Sequence, residues 1–118
     1  MDIQKMISEL MDRPDSSKMG MIASHLGIVR ETSREGALVK DIHVTYDSAG
    51  LRRIIDEISS LPGIFGVAVE TASGRLEVGR PVMAAVVGGD IRDNVFPALV
   101  KLVDRIKTEA CVKHESLR

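Results

Sequence analysis

Arg92 and Lys107 stand where a helix ought to be apolar. At 100° per residue, Val95, Phe96, Leu99, Val100, Leu102, Val103 and Ile106 cover one arc of roughly 160°. Both cations fall inside that arc, whereas Lys101, Asp104 and Arg105 point away from it. A cationic head among apolar side chains is costly unless an anion or water compensates it. The arrangement therefore reads either as an anion site or as two stems that run along the core and leave their heads in water at the helix ends. The apolar strand Val82 to Val87 enters this helix through Gly88, Gly89 and Asp90. Residues without side chains let a ligand approach the backbone, and the unsatisfied first amides of a helix attract phosphate or carboxylate. A plain strand-to-helix turn is the simpler reading of the same residues. With no Gly-x-Gly-x-x-Gly and no Walker-type Lys-Ser/Thr, neither a dinucleotide nor a nucleoside triphosphate is indicated.

Other chemistries lack their residues. His25, His43 and His114 show no His-x-x-x-His spacing, no Cys-x-x-Cys is present and no calcium-loop pattern occurs, so no metal site is expected. No Gly-x-Ser-x-Gly elbow marks a nucleophilic serine. Lysine and arginine are left to do the chemistry.

Composition sets the bounds. With 118 residues, 44% hydrophobic and 28% charged, the chain is expected to form one domain over residues 1–118 with its own core. A formal charge of −1 and only three aromatic residues, Tyr46, Phe65 and Phe96, argue against nucleic acid. No apolar run is long enough to span a membrane, and the N-terminus has no signal-peptide pattern. The single cysteine, Cys111, fits a reducing compartment, so a cytoplasmic location is expected.

The elements that must position these residues follow from periodicity. Ile3, Met6, Ile7, Leu10 and Met11 predict a helix over Asp2 to Met11, closed by Pro14 to Ser17. Strands are expected over Met19 to Val29 and Ala37 to Thr45, separated by an exposed, mobile loop over Glu31 to Gly36. Asp47 or Ser48 caps a helix with Leu51, Ile54, Ile55, Ile58 and Leu61 on its core face. Pro62-Gly63 leads to the strand Ile64 to Thr71. Ala72-Ser73-Gly74 then turns tightly into Arg75 to Val78, and Val82 to Val87 follows. The last helix starts between Asp90 and Asn94, where Pro97 is comfortable only in a first turn. It ends near Lys107 to Ala110 and leaves a tail over Cys111 to Arg118. Helix, two strands, helix, three strands, helix predicts an α+β fold with helices packed on a mostly antiparallel sheet.

Four stretches, in order, resemble the large, catalytic subunit of molybdopterin synthase: Gly20 to Arg30 with its Gly-Ile-Val-Arg ending, Arg34-Glu35-Gly36, Gly74 to Gly79, and Asp104 to Ala110. The resemblance covers about residues 5 to 115. It implies an α/β hammerhead type of fold and a homodimer, with a ubiquitin-like small subunit on each protomer to make a heterotetramer. The partner's C-terminal Gly-Gly tail, carried as a thiocarboxylate, reaches the large subunit's pocket. Sulfur then passes to cyclic pyranopterin monophosphate, making the dithiolene that later binds molybdenum or tungsten. The metal is downstream, and no cofactor is implied for this chain.

By the same resemblance, Arg30 and Arg92 bind the anionic substrate, and Lys107 acts in sulfur transfer. A second family lysine falls on Lys113 if a gap precedes it, or is replaced by His114 without a gap. Such cations would neutralise a cyclic phosphate and a thiocarboxylate. The lysines would stabilise a developing oxyanion, assist proton transfer or form a covalent intermediate with the tail. Arg92 and Lys107 are fifteen positions apart, about 22 Å along one helix, so one small group cannot touch both within one chain. A pocket shared between two protomers removes the difficulty.

Three departures stand at the implied site. Ile91 replaces the histidine of the family's His-Arg pair, Val112 stands near the missing tail aromatic, and the sequence ends at Arg118 where many members supply another arginine. They leave open a noncatalytic relative acting as a protein-interaction or anion-binding module.

Overall fold

The computed structural model describes residues 1–118. In chain order the elements are α1 (Ile3–Met11), a 3₁₀ turn (Ser16–Lys18), β1 (Met21–Ile28), β2 (Val39–Tyr46), α2 (Ser48–Ser59), β3 (Ile64–Thr71), β4 (Gly74–Glu77), β5 (Pro81–Gly89), α3 (Arg92–Glu109) and β6 (Cys111–Leu117). The α+β architecture is the expected one. Its strands make two antiparallel three-stranded sheets, ordered β1-β5-β3 and β4-β2-β6.

β5 is the axis of the first sheet because it is apolar on both faces. Met83, Ala85 and Val87 meet α2 and α3 in a core with Ile54, Ile58, Val95, Leu102 and Ile106. Ala84 and Val86, one step out of phase, meet Met6 and Leu10 of α1. Val29, Val39, Ile42 and Val44 form a third cluster on the second sheet. The helix starts are those the sequence predicts: the Asp2 carboxylate accepts from Lys5 N–H at 3.0 Å and the Asp47 carboxylate from Ala49 N–H at 3.2 Å. No helix is long and apolar enough to cross a membrane.

Several expectations need correction. The tail is a strand: β6 pairs with β2 from Tyr46↔Cys111 to Val39↔Leu117. The Ala72 to Gly74 turn does not make a hairpin, since β3 pairs with β5 and β4 with β2, so the chain crosses there from one sheet to the other. Residues 31–36 are mostly exposed, as expected, but close into a turn around Ser33. Ser33 is buried, its N–H donates to Ala37 O at 2.8 Å, and its Oγ accepts from Ala37 N–H at 3.0 Å. Pro97 sits in the second turn of α3. The Asp93 carbonyl it leaves without a donor is on an exposed residue, where water can serve it. Phe96 and Val100, expected in the core, are 51% and 60% exposed. The buried arc is narrower than the apolar one, running through Val95, Ala98, Leu102 and Ile106.

Gly88 and Gly89 leave room for protein rather than for a ligand. A Cβ at residue 88 would stand 2.7 Å from the Met19 sulfur, and one at residue 89 would strike the Gly63 carbonyl oxygen and come within 2.7 Å of Val95. The start of α3 has its own acid, since Asp90 Oδ1 accepts from Ile91 N–H at 2.7 Å and from Asn94 Nδ2 at 2.8 Å. This turn is a packed joint, not an anion site.

One ion pair fixes the second sheet. Arg75 Nε donates to Asp41 Oδ2 at 2.8 Å across β4 and β2. That hydrogen bond holds the Asp41 carboxyl below its ordinary range, against a smaller opposing effect of burial. Asp41 therefore stabilises the fold above the ordinary carboxylate pKa, and that contribution is lost as pH falls through its depressed value. Asp41→Asn is expected to lower the urea midpoint near pH 7, with the gap from wild type closing as pH falls through and below the depressed Asp41 value.

Candidate active site

Strand parity and the end of α3 bring the lysines together. Cys111, Lys113 and Glu115 alternate along β6 onto one face, and Lys107 arrives in the last turn of α3. With Arg30, just past β1, they line a cavity of about 680 Å³. The Arg30 Nε donates to Thr32 O at 2.8 Å, and its terminal nitrogens have no partner in the chain. Neither Lys107 nor Lys113 has a carboxylate within 4 Å, as the five ion pairs lie elsewhere. Arg34 adds a fourth cation to the wall, while Glu35 and Glu115 supply the only carboxylates.

Arg30, Lys107 and Lys113 thus converge, and two expected residues do not. His114 lies on the opposite face of β6, across from His43, so Lys113 is the tail residue that faces the cavity. Arg92 opens α3 at the end remote from Lys107 and does not reach the cavity within this chain. It is exposed beside Ile91, Phe96 and Val100, an apolar shoulder turned to solvent.

The wall also holds groups that sequence reasoning missed. Tyr46 donates from its hydroxyl to Val82 O at 3.4 Å, and burial pushes its pKa well above the ordinary value. Burial likewise raises the Cys111 thiol, while the neighbouring Tyr46 hydroxyl and the charges of Lys113 and Lys107 pull the other way. His25 is held neutral, first by burial and then by the charge of Lys107. Alternation from buried Ala23 through His25 to Gly27 was the available signal in β1. A more open depression of about 720 Å³, beside Glu70, Arg75, Glu77 and Arg80, mixes both charge signs and includes none of the expected residues.

The sequence matches the family model described as MoaE protein over residues 1–109. The chain belongs to the MoaE protein family. Two solved structures, a molybdopterin biosynthesis MoaE protein and a molybdopterin cofactor biosynthesis protein E, share 25% identity with it. One from Burkholderia ambifaria MC40-6 has a TM-score of 0.79, with 96% of this chain and 75% of that one covered. The other, from Burkholderia multivorans ATCC 17616, has a TM-score of 0.78, with 100% and 82% covered. The fold is also that of a complex of subunits 1 and 2 of molybdopterin-converting factor from Helicobacter pylori 26695, at 15% identity, TM-score 0.72 and coverage of 100% and 80%. No curated protein matches the sequence. MoaE membership gives the chain a role in molybdenum cofactor biosynthesis.

Proposed function

We propose that this chain transfers sulfur from the thiocarboxylated C-terminus of a ubiquitin-like small subunit to cyclic pyranopterin monophosphate. The observation that carries the reading is the convergence of Arg30, Lys107 and Lys113, none of them paired with a carboxylate, on one cavity. Arg30 binds the cyclic phosphate, to which its unpartnered terminal nitrogens are suited. Lys107 and Lys113 hold the anionic tail and stabilise the oxyanion that develops at its carbonyl carbon. In net terms the tail's sulfur becomes bonded to a pterin carbon, and the tail leaves as a carboxylate with its new oxygen from water.

A second protomer completes the site. Ile91, Phe96 and Val100 form an exposed apolar shoulder around Arg92, a surface suited to burial against another copy. In the homodimer, and the heterotetramer it makes with two small subunits, Arg92 of one protomer serves the Lys107 cavity of the other. Mixing inactive Arg92→Ala and Lys107→Ala proteins should then restore part of the activity, because some mixed dimers keep one intact site. Complete absence of rescue, with subunit exchange demonstrated, would remove Arg92 from the site.

One observation favours a noncatalytic module instead. Ile91 caps α3 with no side-chain hydrogen bond, so the position offers no group for acid-base work. The two readings separate on the partner's tail. Sulfur transfer returns it as a plain carboxylate only when the pterin is present, whereas a docking module leaves the thiocarboxylate intact.

A further inference from the structure

His25 has the only buried side-chain nitrogen or oxygen in the chain that lacks a hydrogen-bond partner, its Nε2. Buried polar atoms are nearly always satisfied, and an exception in a cavity wall marks an incomplete arrangement. The residue lies where the core gives way to the cavity. Its strand partner Ala85 is fully buried, and Gly27, two residues on, also lines the cavity. Gly27 lies directly beside the ring, since a Cβ at residue 27 would stand 3.4 Å from Nε2.

The surroundings carry excess positive charge. α3 contributes Lys107, β6 contributes Lys113 and Cys111, β2 contributes Tyr46, and Arg30 follows β1 itself. The 31–36 turn adds Arg34 with Glu35, β6 adds Glu115, and β5 offers only the uncharged Met83 and Ala85 beside His25. Unpaired cations disfavour a further one, and an anion seated among them reverses the balance. A doubly protonated imidazole donates from both nitrogens and finds its acceptor in that anion.

We propose that His25 is the proton-carrying residue of this cavity: its imidazole is neutral while the site is empty and takes one proton from solvent when an anionic ligand seats beside Lys107. The proton returns to solvent when the ligand leaves. Burial and the Lys107 charge, which both favour the neutral ring in the empty protein, agree with the geometry. The inference rests on the proposed function only in that the ligand is an anion, and it requires no turnover.

The test is an NMR titration of the three imidazoles in the intact chain, with His25→Gln and His25→Phe to assign the resonance. Free His25 should titrate below the ordinary histidine value, as burial and the Lys107 charge require. A saturating peptide ending in Gly-Gly with a free carboxylate should raise its midpoint by about one pH unit, a tenfold gain in proton affinity. His43 and His114, on the far face of the second sheet, should stay put. Lys107→Ala should raise the free midpoint and shrink the ligand-induced rise. Binding without that rise, or an equal rise in all three histidines, overturns the role of His25 and leaves the proposed function standing. Failure of both the peptide and inorganic phosphate to bind overturns the two together.

Discussion

Replacing Lys107 with alanine should lower the rate of sulfur transfer about 10²–10³-fold, the usual effect of deleting one positioned oxyanion donor. The unfolding temperature should hardly move. Lys107 is exposed and makes no ion pair, so its ammonium contributes little to the fold. The loss should appear in the single-turnover rate with both substrates saturating, because the oxyanion forms only as the tail's carbonyl is attacked. A substitution that weakened substrate binding alone would be masked at saturation. Lys107→Arg retains charge without the compact ammonium and should recover part of the activity. If Lys107→Ala transferred sulfur at the wild-type rate, the lysine would have no part in the chemistry.

Leu102→Ala should destabilise the protein by about 2–5 kcal/mol, the range for a fully buried leucine whose cavity cannot collapse. Leu102 has no exposed surface and sits in the core with Ile54, Ile58, Val95 and Ile106. The loss is measurable as a lower urea midpoint with an unchanged slope. It carries a functional consequence, because α3 delivers Lys107 to the cavity and β6 follows α3 directly. The variant's activity should therefore fall at temperatures where its folded fraction is still high. Arg105 opposes the loosening by joining Glu57 of α2 and, at 2.8 Å, Glu109 of its own helix. A midpoint equal to wild type would mean that α3 does not depend on this core.

What the sequence disclosed depended on how local the determining contacts were. The apolar run of β5, the spacing from Leu51 to Leu61 in α2 and the Asp47 cap are short-range patterns, and each lies in the structure where it was expected. β6 was not legible because it is an edge strand exposed beyond Cys111, so burial never imprints an apolar alternation on it. The choice between Lys113 and His114 turned on that strand, since pairing with β2 sends adjacent side chains to opposite faces. The split into two sheets was hidden for a related reason: β4 pairs with β2, whose paired residues lie 30 to 36 positions earlier in the chain. Phe96 and Val100 misled in the opposite direction. Their apolarity matched the core arc of α3, yet they are exposed. In His25 the decisive fact was a missing partner for one nitrogen, a property of packing with no counterpart in residue order.

The central claim is that the cations around one cavity carry out sulfur transfer, and a single-turnover assay tests it directly. The full chain would be given a thiocarboxylated ubiquitin-like small subunit and cyclic pyranopterin monophosphate, and dithiolene product measured against the chain present. Product should form with the wild type, and both Lys107→Ala and Arg30→Ala should sharply slow its formation. A wild-type chain that binds the small subunit tightly, leaves its thiocarboxylate intact and yields no dithiolene would contradict the account.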